Sequence, residues 1–229
     1  MTTQTAKEPL SRERILTAAV AIADAGGIRA ITMRRVAEEL DCEAMSLYYY
    51  VDGKNALLAG LAETVIAEVV GATATDPPGV TDWRQLVAQR CLTARQVMQR
   101  HPWAPQVTMS LTEAPPITFA IYEQLVGTLV ESGHSYQLAH RSIHALGSMV
   151  LGFTQELFEP DDAAGSEMTV DEMQAMAAAM PHLAAMTMED LHASDGSLSQ
   201  CDTQAEFEFT LGLILDGLER RRDEGAGSA

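Results

Sequence analysis

A run of polar and aromatic side chains between Thr32 and Lys54 has the chemistry needed to contact a nucleic-acid duplex. Arg34 can donate hydrogen bonds to a guanine edge or to a phosphate, and Ala44 and Met45 offer apolar atoms to thymine methyl groups. The other members carry hydroxyl or ammonium groups that bind phosphate oxygens. The candidate DNA-contacting residues are Thr32, Arg34, Ala44, Met45, Ser46, Tyr48, Tyr49 and Lys54. Tyr48 has a second interpretation as a packing residue.

Metal binding is a second kind of chemistry that the residue types allow. His140 and His144 are four residues apart, so they share one face of a helix and could hold a metal ion. Glu189 and His192 form a single Glu-x-x-His motif, which bundle di-metal enzymes use twice. Neither pair has the companion ligands that such a site needs, and solvated or capped histidines explain the same pattern. We expect no metal, no cofactor and no catalytic residue.

The candidate DNA contacts require two short helices joined by a tight turn. Thr32 has the side chain of an N-cap, and the turn at Asp41-Cys42-Glu43 precedes the second helix. A second helix that exposes small, hydroxylated and aromatic residues is typical of a helix-turn-helix whose recognition helix enters the major groove. The buried stripes are predicted to be Met33, Val36, Ala37 and Leu40 in the first helix, and Leu47, Tyr50 and Val51 in the second.

Together with the preceding helix, which Ser11 can cap, this segment resembles the DNA-binding domain of the tetracycline-repressor (TetR) family. The resemblance implies an all-α fold with an N-terminal three-helix helix-turn-helix domain, followed by a helical ligand-binding and dimerisation domain. The family usually has glycine where Asp41 stands, and aspartate tolerates a left-handed backbone better than most residues. The matching elements are Arg12-x-x-Ile15-Leu16-x-Ala18-Ala19, Gly26-x-x-x-Ala30-Ile31-Thr32-Met33-Arg34, and Leu47-Tyr48-x-Tyr50-Val51 with Lys54 and Leu57-Leu58.

The net charge of −17 is distributed unevenly along the 229 residues. Residues 1–60 contain 7 Lys and Arg against 8 Asp and Glu, a net charge of −1, so the remaining residues carry −16. The acidic part would repel DNA and orient the molecule with its N-terminal domain toward the duplex. Three cysteines without metal-type spacing, and no apolar run that reaches the length of a membrane span, favour a cytoplasmic protein.

The chain is predicted to have four segments. These are a flexible arm at 1–9, a helix-turn-helix DNA-binding domain at 10–58, a helical ligand-binding and dimerisation domain at 59–222, and a disordered tail at 223–229. Helical periodicity after residue 54 predicts helices to about Val70, from Thr81 to about Arg100, and over Ile117–Glu131, Ser135–Phe158, Thr169 to about His192 with a kink at Pro181, and Asp202–Arg222.

Two of these helices, 135–158 and 202–222, have the pattern of a homodimer interface. In the last helix Phe209 and Leu213 lie on a different side from the main apolar stripe, so the helix needs partners on two sides. Two such helices from each of two subunits would form a four-helix interface. The core of a monomer would produce the same pattern. Dimerisation would also double the length of DNA that a single helix-turn-helix contacts.

The segment Phe207–Arg221 resembles the closing helix of the tetracycline-repressor C-terminal domain. The resemblance continues weakly through Gln124 and Glu156, which match positions of the drug site in that class. Thr108 and Val70 stand where those repressors have drug-site histidines. The resemblance therefore implies a similar scaffold with a ligand other than magnesium-tetracycline.

Methionine and aromatic residues spread over the body helices are candidates for a ligand pocket. Methionine is flexible and polarisable, so it suits a pocket that adapts to a hydrophobic ligand, although each of these residues could equally be core filler. The candidate ligand-binding residues are Met98, Trp103, Met109, Phe119, Tyr122, Gln124, Met149, Phe153, Met173 and Met176.

These observations predict a ligand-responsive transcriptional repressor. It would bind a palindromic operator as a homodimer and be released by a small, mostly apolar molecule. A helical metal-binding or enzymatic bundle with a vestigial helix-turn-helix is the alternative, and it predicts dependence on His140, His144 or Glu189. A third possibility is a DNA-bound scaffold that responds to no compound.

Overall fold

The computed structural model describes residues 9–153, 170–186 and 203–226, and these residues form helices without any strand. The all-α prediction is therefore confirmed. Residues 9–153 and 211–226 belong to one compact unit, and 170–186 and 203–210 belong to a second. The helices are α1 (Arg12–Gly26), α2 (Met33–Glu39), α3 (Ala44–Leu47), α4 (Gly53–Thr73), α5 (Trp83–Arg100), α6 (Ala104–Ser110), α7 (Thr118–Glu131), α8 (Tyr136–Gly152), α9 (Val170–Ala179), α10 (181–186) and α11 (Thr203–Ala226).

Local capping signals place the helix boundaries of the N-terminal domain. The Ser11 hydroxyl accepts a hydrogen bond from the Arg14 amide at the start of α1, and the Thr32 hydroxyl accepts one from the Arg35 amide at the start of α2. Each cap supplies a partner for an amide that the helix itself leaves unpaired. Gly27 ends α1 with a positive φ of 69°. Asp41 has a φ of 48°, which confirms the left-handed backbone predicted for the turn.

A continuous apolar core joins the N-terminal domain to α4, α5 and α6. Ile15 and Leu47 are fully buried within the N-terminal domain, and Leu61 and Val65 extend the same core along α4. Gly60 lets α1 and α4 approach closely, because a Cβ atom there would lie 2.6 Å from Leu16 Cδ2. The N-terminal domain is thus packed onto α4 rather than tethered by a loop.

Helix α4 runs through the middle of this core. It contacts α1, α5, α6 and α7 and buries eight of its residues. By length and composition alone it is apolar enough to cross a membrane, so the expectation that no segment has this property was wrong. The physical reason for its hydropathy is that several helices cover it, as happens to the core helix of a helical bundle.

The body helices begin and end near the predicted positions, with two differences. Helix α8 begins after Ser135, whose hydroxyl accepts a hydrogen bond from the Leu138 amide, and it ends at Gly152 with Phe153 as its C-cap, whereas the prediction continued the helix to Phe158. Helix α11 continues to Ala226, four residues beyond the predicted Arg222. The kink predicted at Pro181 is a full break, since residue 180 is not helical and separates α9 from α10. The predicted acidic loop at 159–166 lies outside the described residues.

Candidate functional site

The turn between α2 and α3 is closed by backbone hydrogen bonds. The Cys42 amide donates to the Ala37 carbonyl at 3.0 Å, and the Ser46 amide donates to the Glu43 carbonyl at 2.9 Å. Helix α3 is shorter than predicted, since regular α-helix covers only Ala44–Leu47 and a turn continues to residue 50. The Val51 amide still donates to the Leu47 carbonyl at 2.9 Å, so the turn continues the helical direction.

Helix α3 and this turn bury one side and expose the other. Leu47 and Val51 are buried, as predicted, whereas Met45 is 77% exposed and Tyr49 is 86% exposed. Tyr50 was predicted to lie inward but is partly exposed, with its ring edge-on to Tyr49 at 5.0 Å between centroids. The rest of the candidate set is also accessible, with Ser46, Tyr48 and Lys54 exposed and Ala44 half-buried.

Three arginines of the N-terminal domain are paired with carboxylates. Arg34 Nε donates to Glu38 Oε1 at 2.9 Å, and Arg35 forms a longer pair with Glu39 at 3.5 Å. Arg12 donates to Glu63 of α4 at 2.8 Å. These exposed pairs are weak, so a phosphate can compete with the carboxylate for the same guanidinium group.

A cavity of about 180 Å³ lies within the body helices. Aliphatic side chains form most of its wall, and only a few polar groups interrupt them. Such a lining suits a largely apolar ligand that a small number of hydrogen bonds orient. The walls are formed by Ile66, Val69 and Thr73 of α4, Val87, Arg90, Cys91, Ala94 and Met98 of α5, Thr108 of α6, Thr118, Ile121, Tyr122, Gln124 and Leu125 of α7, and Ile143, Leu146, Gly147, Val150 and Leu151 of α8.

The polar groups of the cavity are of two kinds. Arg90 is held by an ion pair of 2.7 Å with Asp76 and donates to the Gln124 carbonyl at 3.0 Å, so its charge is compensated. Thr108 and Thr118 have buried hydroxyl oxygens with no hydrogen-bond partner among the described residues. Hydroxyl groups left in this state favour a ligand that supplies a hydrogen-bond partner.

Burial raises the pKa of the nearby Cys91 thiol to about 12, so the thiol is neutral.

Three of the ten candidate ligand-binding residues line the cavity, namely Met98, Tyr122 and Gln124. Met109 is 72% exposed on α6, and Phe119 is exposed at the start of α7 with its ring edge-on to Tyr122. The remaining described candidates, Trp103, Met149 and Phe153, are not among the lining residues. The side chains of Met173 and Met176 lie outside the described residues.

Sequence reasoning missed several lining residues, because residue type alone does not mark them. Thr73, Arg90 and Thr118 are polar, whereas the search for a pocket followed methionine and aromatic side chains. A usable signal was the match of Gln124 to a drug-site position, since Gln124 Oε1 lies 3.3 Å from the Thr73 hydroxyl. Trp103 is buried away from the cavity, where its indole N–H donates a hydrogen bond to Asp24 with 2.6 Å between Nε1 and Oδ1.

The candidate metal ligands do not gather further donors. The imidazole rings of His140 and His144 are 4.9 Å apart and edge-on on the exposed side of α8. Within residues 9–153, 170–186 and 203–226, no group of three His, Cys, Asp or Glu side chains could hold a metal ion. Glu189 and His192 lie outside the described residues.

Comparison with known proteins finds relatives along nearly the whole chain. Residues 15–61 match the family of bacterial regulatory proteins of the tetR type, and residues 76–222 match the tetracyclin repressor-like C-terminal domain. The HTH-type transcriptional repressor DrrR1 of Streptomyces coeruleorubidus is 30% identical, over 96% of this chain and 83% of the relative.

Solved structures have the same fold. A possible TetR family transcriptional regulator of Streptomyces coelicolor A3(2) superimposes with a TM-score of 0.72 at 28% identity, covering 92% of this chain and 99% of that chain. The Streptomyces coelicolor TetR family protein ActR, in complex with (S)-DNPA, superimposes with a TM-score of 0.66 at 25% identity, covering 92% of this chain and 98% of that one.

Proposed function

The chain belongs to the TetR family of bacterial transcriptional regulators, and we propose which of its residues bind the operator, the effector and the second subunit. Regulators of this family bind operator DNA and small-molecule effectors as dimers, and the chain is a ligand-responsive transcriptional repressor of this type. It acts in the cytoplasm, where operator DNA is accessible.

The DNA-binding surface consists of α3, the turn that follows it, and the starts of α2 and α4. Met45 and Ala44 contact thymine methyl groups in the major groove, and the hydroxyls of Ser46, Tyr48 and Tyr49 bind phosphates. Lys54 and Thr32 contact the backbone beside them, while Arg34 exchanges Glu38 for a guanine edge or a phosphate. The exposure of Met45 and Tyr49 on a helix whose opposite side is buried is the observation that carries this assignment.

The homodimer forms through α8 and α11. Phe209 is 64% exposed and Leu213 is 57% exposed on α11, although Leu211 and Leu215 of the same helix are buried. An α8 surface that contains Gly147 and Ala145 is exposed as well and allows close approach of a second helix. A two-fold dimer would place the two α3 helices about 34–36 Å apart, one turn of B-DNA, which accounts for a palindromic operator.

The effector binds in the cavity between α4, α5, α7 and α8. The aliphatic wall and the compensated charge of Arg90 favour an uncharged, mostly apolar compound, and the Thr108 and Thr118 hydroxyls can bond to its polar atoms. Because α4 contributes both to the cavity and to the core of the N-terminal domain, a ligand that shifts α4 changes the separation of the two α3 helices. The binding free energy for the operator is then weakened by the difference between the ligand's binding free energies for the released and the DNA-competent conformations.

The first experiment is selection of duplexes from a random pool by the full-length protein, followed by fluorescence anisotropy at two salt concentrations. We expect enrichment of a palindrome that binds two chains, with an affinity that falls steeply as salt rises. Tyr49→Phe removes one phosphate-binding hydroxyl and should weaken binding about fivefold, a net contribution of about 1 kcal/mol. Thr112→Val, which removes an exposed hydroxyl between α6 and α7, is the control and should bind like the wild type.

Two results would refute the proposal. If no sequence is enriched from the random pool, the protein does not bind a specific operator. Equal binding by wild type and by a Met45→Asp, Tyr49→Ala variant would show that α3 does not contact the DNA.

A further inference from the structure

A small hydrogen-bonded cluster connects the N-terminal domain to the ligand-binding body at one carboxylate. Asp24 lies near the end of α1, and its Oδ1 accepts the Trp103 indole N–H at 2.6 Å and lies 2.8 Å from His101 Nδ1. Since a carboxylate only accepts hydrogen bonds, the His101 nitrogen must donate. On its other side His101 Nε2 lies 3.4 Å from Glu68 Oε2 of α4, which also accepts from Arg100 at 3.2 Å. We call Asp24, Glu68, His101 and Trp103 the Asp24 junction.

The two rings of the junction are buried, whereas its carboxylates are partly exposed, with side-chain exposed fractions of 32% for Asp24 and 39% for Glu68. His101 and Trp103 are buried, with exposed fractions of 7% and 4%, so neither ring can turn to a water partner without leaving its packing. Trp103 belongs to the apolar core that joins α1, α4 and α6. A buried indole N–H without an acceptor is unfavourable, so the Trp103 position depends on that of Asp24.

Each body segment of the junction also carries residues of the cavity wall. Trp103 immediately precedes α6, whose Thr108 lines the cavity, and Met98 lines it three residues before His101. Glu68 stands on α4 between the lining residues Ile66 and Val69. A ligand that displaces α5 or α6 therefore moves the donors around Asp24, and one that displaces α4 moves Glu68 on the far side of His101, while the Asp24 side chain remains fixed to α1.

We propose that His101 and Trp103 are positioning residues for operator binding, which hold α1 of the N-terminal domain in its DNA-competent orientation through the Asp24 carboxylate. Release of this carboxylate is the step by which movement of the cavity wall reaches the N-terminal domain. The role in operator binding rests on the proposed function, whereas the fixing of α1 by the Asp24 junction can be tested without DNA. The proposal states that the junction, and not apolar packing alone, fixes the position of α1.

The test uses two variants that break the junction from opposite sides. Asp24→Ala removes the acceptor, and Trp103→Phe keeps an aromatic ring but removes the N–H donor. Both should raise the operator Kd about tenfold in the absence of any compound, within the range usual for coupling between sites. The double variant should be no weaker than the worse single variant, because each change abolishes the same interaction.

Asp82→Ala is the matched control. It removes the same charge and also lowers stability, since Asp82 caps α5 by accepting from the Gln85 amide, but it lies outside the junction. The Kd for operator should stay within twofold of the wild type. Circular dichroism confirms that each variant is folded at the assay temperature, and Asp24→Asn provides a milder change should Asp24→Ala not fold.

Hydrogen exchange followed by mass spectrometry provides a readout that needs no DNA. Amides in residues 17–26 should exchange faster in Asp24→Ala and Trp103→Phe than in the wild type, and at the wild-type rate in Asp82→Ala. If the wild type selects no operator, the proposed function fails while the exchange rates still decide the junction. The inference is overturned if the junction variants exchange and bind DNA like the wild type, if Asp82→Ala weakens DNA binding equally, or if the two losses are additive.

Discussion

The side chain of Arg34 is 87% exposed, and among the described residues its guanidinium group pairs only with Glu38, one helical turn further along α2. A pair this exposed contributes less than about 1 kcal/mol to stability. Glu38 competes with DNA phosphate for the guanidinium group and repels the phosphate as well. We therefore expect Glu38→Gln to tighten operator binding about three- to tenfold at low salt, while the free energy of unfolding changes by less than about 0.5 kcal/mol.

Fluorescence anisotropy at two salt concentrations measures this effect. Glu131→Gln makes the same charge change at an exposed position on α7 and serves as the control. A similar gain in both variants would mean that overall charge, and not the Arg34 pair, sets the affinity. The gain in Glu38→Gln should shrink at high salt, because screening weakens both the repulsion and the phosphate contact.

Cys91 predicts a specific dependence of stability on pH. Burial raises its pKa from 9.0 to about 12, so the folded protein keeps the thiol protonated where the unfolded chain has lost the proton. Such a raised pKa stabilises the folded state fully below about pH 9, and this contribution is lost as the pH rises toward about 12. By about pH 10 the loss is on the order of 1 kcal/mol.

Cys91→Ala should remove this part of the decrease in unfolding free energy with rising pH. Urea unfolding at pH 8 and pH 10 is expected to give a smaller drop for Cys91→Ala than for the wild type, whatever the absolute stability of the variant. Cys42→Ala, at a half-buried cysteine in the helix-turn-helix, is the comparison and should keep the wild-type drop. An unchanged drop in Cys91→Ala would show that the thiol ionises readily in the folded state.

At the scale of elements, Thr32 links a local sequence signal to the position of α2. Its hydroxyl accepts from the Arg35 amide at 3.0 Å, which gives a partner to one of the free amides of the first turn. Thr32→Val keeps the shape of the side chain but removes the acceptor, and it should lower the free energy of unfolding by about 1 kcal/mol. Thr32→Ser retains the hydroxyl, so its free energy of unfolding should fall much less.

Urea denaturation of both variants measures this difference. Operator affinity should follow the same order, because Thr32 is also a proposed backbone contact and α2 supports α3. Equal stabilities for the valine and serine variants would show that the cap contributes nothing to the fold.

Caps and turns could be predicted from the sequence because each depends on a few neighbouring residues. Ser11, Thr32 and Asp41 act within three or four positions along the chain. The cavity could not be predicted in the same way, because Thr73, Arg90 and Thr118 come together only when α4, α5 and α7 pack. Trp103 was assigned to the pocket for its residue type, yet its position depends on Asp24, 79 residues earlier.

The dependence of a local pattern on packing elsewhere also explains why the recognition helix is shorter than predicted. Periodicity predicted a helix to Val51 with Tyr50 inside, and the structure keeps Leu47 and Val51 buried while the last residues form a turn. The apolar positions of a turn and of a short helix have nearly the same spacing, so the pattern fixes the buried side but not the exact backbone. Tyr50 lies in the turn beyond the end of α3, so the helical periodicity that predicted it to be buried does not apply there.

For the whole molecule, the decisive quantity is the number of subunits that contact the operator. Helix α11 buries Leu211, Leu215 and Leu218 on one side and exposes Leu213 on another. An apolar residue exposed in this way is explained when a second subunit covers it. Leu213→Asp would place a charge in that interface, where the carboxylate would be desolvated without a partner, and we expect it to give monomers.

Light scattering after size exclusion measures the outcome directly. The wild type should have a mass of about 49 kDa, twice the 24.7 kDa chain, and Leu213→Asp should have the mass of one chain. Phe119→Asp changes a similarly exposed residue at the start of α7, outside α8 and α11, and should remain dimeric. Because a monomer contacts only one half-site, Leu213→Asp should bind the palindrome at least about 100-fold more weakly. A dimeric Leu213→Asp would place the interface elsewhere, and a monomer with undiminished affinity would mean that one helix-turn-helix suffices for the operator.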